Sequence, residues 1–288
     1  MEIGYPDLLG IWNIGSVQWS ERDVMLYALA IGMGSDPLDP GILDFVYERE
    51  LKVMPSFVAA LSIDSGAWSR LGLDMQQVLH GAHAVTLYGD VPTSGRCETR
   101  SRITQAWDQG PDKAAILIQE MELFLDADGG RLATIATTIF ARGDGGFGGP
   151  AGRPERHRLP DRAPDAVREY ATLPQQALLY RLTGDYNPLH ADPQVARAGG
   201  FEVPILHGMC SYGISCRAML EAWCDNDPAR MSHHEARFSA PVYPGETLVV
   251  ETWRTDDGVA FRLRAKERGV VVVDNGRTLL RAPGAVKR

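Results

Sequence analysis

The chain has 288 residues, 44% of them hydrophobic, enough to bury one large core or two of roughly 140 residues each. With 29 basic against 37 acidic residues the formal charge is −8, and the absence of any Lys or Arg block excludes a nucleic-acid stripe or a basic membrane-binding helix. An anionic ligand would need a local basic pocket.

Met1 to Gly10 carries Glu2 and Asp7 and lacks the basic and apolar regions of a secretion signal. Ser20 and Asp23 have capping-box spacing, and Val24, Tyr27, Ala28 and Ile31 recur at helical spacing, which predicts a helix up to Gly32. A second apolar helix is expected after Pro55. Four alternating runs then predict strands over His83 to Val91, Cys97 to Trp107, Ala114 to Leu125 and Arg131 to Ala141. From Arg142 to Asp165 glycine and proline dominate, as in a linker. No strand and helix frame it, so it is not a phosphate-cradling loop. The chain therefore divides into 1–141, a linker 142–165, and 166–288.

The second half repeats the order. Gln175 to Thr183 and the longer apolar Ile205 to Trp223 predict helices. Strands are expected over Glu235 to Val242, Thr247 to Arg254, Ala260 to Arg268 and Val270 to Leu280. Cys97, Cys210, Cys216 and Cys224 lack CxxC spacing and are expected to be core thiols. No apolar run reaches membrane-spanning length, and Gly284 to Arg288 is not a peroxisomal address. A cytoplasmic location is the expectation.

The halves echo one another locally. Leu26-Tyr27-Ala28-Leu29 followed by Asp36-Pro37-Leu38-Asp39 parallels Leu179-Tyr180-Arg181-Leu182 followed by Asn187-Pro188-Leu189-His190. With the matching order of elements, this favours an internal duplication. A long apolar helix before an antiparallel sheet predicts an α+β double hot-dog, in which each sheet wraps a helix.

The chemistry concentrates in Tyr180-Arg181-Leu182-Thr183-Gly184-Asp185-Tyr186-Asn187-Pro188-Leu189-His190. Gly184, Asn187 and Pro188 stop the preceding helix, so Asp185 and His190 stand on irregular backbone. A carboxylate and an imidazole facing one pocket can hold a water, take its proton and deliver a proton elsewhere. Asn187 can orient either partner. The pair alone also fits a loop-capping Asp and a satisfied core His. Pro204 sets a helix start near His207-Gly208, whose unpaired N–H groups can meet a developing oxyanion. His190, His207, His233 and His234 offer no helical i, i+4 metal pair, so no metal is expected.

The full string resembles the signature of the (R)-specific enoyl-CoA hydratases, the hydratase 2 family of MaoC-like hot-dog proteins. Phe45-Val46-Tyr47-Glu48, Pro55-Ser56-Phe57, the glycine run at Gly145 to Gly149, Pro204 to Cys210 and Phe238 to Leu248 also resemble that family's landmarks. The pattern also resembles that of the two-hot-dog hydratases attached or related to the peroxisomal multifunctional enzyme type 2. The resemblance implies reversible hydration of a trans-2-enoyl-CoA, with catalysis by Asp185 and His190, support from Asn187, and an oxyanion donor at Gly208. It further implies substrate contacts at His80, Gly81, Lys113, Tyr186, Pro188, Leu189, Phe238 and Glu48. The sequence departs from the family's pattern with Ala82-His83 after His80-Gly81, and with Ala114 after Lys113. No cofactor is implied beyond the acyl-CoA substrate, the first half would shape the acyl pocket without chemistry, and a homodimer is expected. The alternatives are a dehydratase of another hydroxyacyl-CoA and a non-catalytic acyl-CoA-binding hot-dog.

Overall fold

The computed structural model describes residues 2–62, 68, 70–73 and 77–282. The C-terminal segment 284–288 lies outside them, as does part of the segment after Pro55. Ten strands form one antiparallel sheet in the order β1-β3-β4-β5-β2-β7-β10-β9-β8-β6. The first half supplies β1 (Trp12–Trp19), β2 (Val78–Leu87), β3 (Gly95–Asp108), β4 (Ala115–Leu125) and β5 (Arg131–Ala141). The second supplies β6 (Ala166–Ala171), β7 (Met231–Phe238), β8 (Thr247–Arg254), β9 (Gly258–Ala265) and β10 (Val270–Leu280). Read inward from its outer edge, each half has the same strand order, and the equivalent strands β2 and β7 join the halves, with His83 opposite Ala236 and Val85 opposite His234. This is the expected double hot-dog, its two sheets fused edge to edge.

Two strands escaped the sequence reading. β1 is an edge strand whose residues are mostly exposed or half-buried, and β6 is an edge strand of six residues directly after the linker. Neither carries the apolar alternation of a strand buried on one face. β2 and β7 also begin earlier than expected, at Val78 and Met231.

The capping box on Ser20 and Asp23 opens a helix from Glu21 to Ala30. After Pro55 a short helix runs from Phe57 to Ala60. The central helix runs from Gly208 to Trp223, with every residue from Cys210 to Leu220 buried. Its first turn therefore starts three residues later than the apolar run suggested, because residues 204–207 form no helical turn and Leu206 N–H donates instead to the Val242 carbonyl. The helix can bury nearly all round because the sheet wraps it. It packs against the first half as well, through the Cys210 thiol, which donates to the Ala30 carbonyl at 3.4 Å; the short helix Gln176–Tyr180 joins it there, Gln176 Nε2 donating to the same carbonyl at 2.6 Å.

All four cysteines are buried and unpaired, as expected of core thiols. The glycine run is pinned rather than loose: the Asp108 carboxylate accepts from Gly146 N–H at 2.8 Å and Gly148 N–H at 2.9 Å. Beyond it, Arg153 to His157 line a cavity of about 420 Å³ with Ala82, Ala84, Ile116, Ala136 and Phe140. Among the described residues no helix is long and apolar enough to cross a membrane.

Candidate active site

The loop from Gly184 to His190 is built from side chains that turn the backbone. Asp185 Oδ1 accepts from Asn187 N–H at 3.1 Å, and Asn187 Oδ1 accepts from Leu189 N–H at 3.0 Å. The second bond caps a 3₁₀ turn, Pro188–His190, with proline at its first position. These turns swing His190 inward until it is buried, while Asp185 stays half-buried and Asn187 is exposed.

The protonation of His190 follows from its partner. Its Nδ1 lies 2.8 Å from the Ile205 carbonyl oxygen, which can only accept, so Nδ1 carries the proton and Nε2 the lone pair. Burial pushes its pKa below the ordinary 6.5, against an upward pull from the Ile205 bond and the Asp185 carboxylate. The ring is therefore a neutral base at neutral pH.

Gly208 opens the central helix, where the first N–H groups have no intrahelical partner. A Cβ here would stand 3.2 Å from Cδ1 and Cε1 of Phe238, so the Phe238 ring packs closely against bare backbone. His80 meets Phe238 edge-on, with ring centroids 4.8 Å apart. It gets there by a bulge: the β2–β5 register slips between His80 and Ala82, and a Cβ on Gly81 would fall 2.4 Å from the Phe140 ring. Burial drives the His80 pKa down to about 4, with the Asp185 carboxylate pulling the other way. The first half thus places His80 against Phe238 and within reach of the Asp185 charge.

Asp185, His190, Gly208, Phe238, His80 and Gly81 therefore gather in one place. Tyr186 is exposed, with the Arg181 guanidinium 4.9 Å over its ring, and Pro188 and Leu189 hold the turn. Lys113 and Glu48 are exposed, and among the described residues no hydrogen bond, ion pair or ring contact joins either to the dyad. Lys113 sits in the β3–β4 connection, with its N–H on the Gly110 carbonyl. None of Asp185, His190 and Gly208 lines the 420 Å³ cavity.

The sequence points to the backbone at His207-Gly208, and the structure adds the His207 ring. It stacks on His190 with centroids 3.7 Å apart and planes 27° from parallel. Asp185, His190 and His207 each bring a ligand atom within 4.8 Å of the others. No helical i, i+4 spacing marks this group, because its members come from a loop and a helix start. The stack suits a metal poorly, since lone pairs lying in nearly parallel rings run side by side rather than converging.

The chain matches the MFE-2 hydratase 2 N-terminal domain over residues 17–143 and the MaoC like domain over residues 156–276. It is 40% identical to an enoyl-CoA hydratase of Mycobacterium tuberculosis, covering 92% of this chain and 93% of that one. It is 38% identical to a probable enoyl-CoA hydratase 2 of Dictyostelium discoideum, with 89% of each chain covered. A MaoC-like dehydratase from Phytophthora capsici superposes with a TM-score of 0.87 at 28% identity, covering 99% of this chain and all of that one. The chain belongs to the MaoC-like hydro-lyases. Within them it is a member of the enoyl-CoA hydratase 2 family.

Proposed function

We propose that this chain adds water across the 2,3 double bond of a trans-2-enoyl-CoA to give the (R)-3-hydroxyacyl-CoA, and catalyses the reverse dehydration. The observation that carries the reading is the fixed tautomer of His190, which leaves Nε2 bare in a ring that has a nitrogen within 4.8 Å of an Asp185 carboxylate oxygen. Asp185 and His190 hold one water between them. Nε2 takes a proton as the water oxygen bonds to C3, and the thioester oxygen collects the displaced charge against the Gly208 N–H. A proton passed from the dyad to C2 collapses the enolate and completes the addition. Asn187 supports the pair by fixing the turn between them.

The neutral His80 ring lies against Phe238, so a substrate at the dyad also lies against the first half. That half shapes the acyl site while lacking the chemistry. The reaction calls on no cofactor beyond the CoA thioester itself. Loss of enoyl-thioester absorbance across a panel of chain lengths, with chiral analysis of the product, tests the reading. Turnover to the (R) product is expected. An (S) product or no turnover on any chain length would overturn it.

A further inference from the structure

His207 is the last residue before the central helix and is 1% exposed. Its Nε2 lies 3.1 Å from the backbone carbonyl oxygen of Asp185, which accepts, so Nε2 bears the proton. Nδ1 is then a buried acceptor without a protein partner. One face of the ring stacks on His190, and Tyr180, itself fully buried, lies against it with centroids 5.0 Å apart. Burial, and then the neighbouring His190, hold the His207 pKa down to about 4. A charged ring here would repel the imidazolium that His190 must become when it takes a proton. A neutral one does not.

The backbone of Asp185 and the ring plane of His190 are thus both referred to one rigid group at the start of the central helix. We propose that His207 is a positioning residue for the Asp185–His190 pair, fixing the separation and facing of the two reacting side chains without touching the substrate. The inference rests on the hydration reading above. Groups held this way govern how often the reacting atoms are aligned, so their loss falls on kcat more than on KM.

The test compares His207→Ala, His207→Gln and Asp185→Asn with the wild-type protein, on one enoyl-CoA substrate. His207→Ala should lose roughly 10²-fold in kcat with KM within about threefold, the scale of a one-ångström misplacement. His207→Gln returns an N–H near the position of Nε2 and should recover about tenfold of that loss. Circular dichroism and Tm show whether each variant is folded. Should His207→Ala fail to fold, ¹⁵N-histidine spectra of the wild type at neutral pH decide instead. The resonance missing from His207→Gln must then be an Nε2–H tautomer, and an Nδ1–H tautomer overturns the proposal. Wild-type kcat in folded His207→Ala, beside turnover that Asp185→Asn removes, overturns the positioning role and leaves the dyad standing. Turnover unaffected by Asp185→Asn overturns the dyad reading, and the positioning role with it.

Discussion

The two halves of this chain make the same turn and use it differently. In the first, Asp36 Oδ1 accepts from Leu38 N–H at 2.9 Å; in the second, Asn187 Oδ1 accepts from Leu189 N–H at 3.0 Å. The tyrosines that precede them, Tyr27 and Tyr180, are both fully buried and meet edge-on with centroids 6.1 Å apart. Where the second half has His190, buried and bonded to the Ile205 carbonyl, the first has exposed Asp39, capping the helix at Pro40–Leu43 through Gly41 N–H. The turn is thus a structural inheritance of both halves. Chemistry requires, in addition, an imidazole carried into the core and a helix start beside it.

The sharpest way to break that contrast is to remove the chemistry from the second half alone. Asp185→Ala and His190→Ala are each expected to lower turnover by roughly 10²- to 10⁴-fold, the range for positioned acid–base groups. On the proposed shared water, the double variant should lose far less than the product of the two. Asp39→Ala should leave turnover within about twofold, since a surface cap contributes only stability. A large loss from Asp39→Ala would mean that the first half takes part in the chemistry. Below the ordinary His pKa of 6.5, kcat/KM should fall as Nε2 of His190 takes up a proton, with a midpoint below 6.5 because the folded pKa is depressed.

A second intervention separates the halves from each other. Arg217, on the central helix and 8% exposed, pairs with Glu221 at 2.6 Å and donates to the Gly32 carbonyl and to Ser35 Oγ in the first half. Arg217→Ala leaves a nearly buried carboxylate without its cation and should cost about 3–5 kcal/mol. Equilibrium denaturation that changes by less than about 1 kcal/mol would show that the ring contacts between Tyr27 and Tyr180 suffice.

Much of this was legible in the sequence because the physics is local. The capping box, the glycine and proline stops and the Asn-Pro turn all act over a few residues, and the string from Tyr180 to His190 carries them together. Strands β4, β5, β8 and β10 were legible to within a residue at their N-terminal ends because each is a run of β-forming apolar residues, alternating with burial along β4 and buried almost throughout in β8. What escaped depends on contacts distant in sequence. β1 is held by pairing with β3 rather than by its own pattern. His207 joins the site only because the chain returns from Ile205 to lie beside the Asp185 loop. Lys113 and Glu48 were placed near substrate by resemblance alone, and nothing in their own surroundings ties them to the dyad.

Neutral histidines with lowered pKa values come from both halves, half-buried His80 from β2, buried His207 before the central helix and buried His234 from β7, at about 4, 4 and 3. Each folded value lies below the unfolded 6.5, so the unfolded chain binds protons that the folded one refuses. Stability is full above pH 6.5 and is lost as pH falls toward 4, by about 1.4 kcal/mol per histidine per pH unit. A Tm that stays level between pH 6.5 and 4.5 would refute this. Gly208→Ala carries a smaller effect. The added methyl, 3.2 Å from Phe238, displaces the ring by tenths of an ångström and should lower kcat by about tenfold in a folded protein. Unchanged turnover would reduce Gly208 to a packing role.

The smallest effect isolates the turn itself. Asp36→Ala and Asn187→Ala delete the same bond, a side-chain oxygen accepting from the N–H two residues on. Both side chains are exposed, so each deletion should cost about 0.5–1 kcal/mol of stability. Only Asn187 stands between Asp185 and His190, and loosening it lets His190 drift from the carboxylate while Nδ1 keeps its bond to Ile205. Equal small losses of stability are therefore expected from the two variants, with a fall in kcat of roughly tenfold confined to Asn187→Ala. Equal turnover in both would mean that the Ile205 bond and the His207 stack hold His190 without help from the turn, and that Asn187 is as purely structural as Asp36.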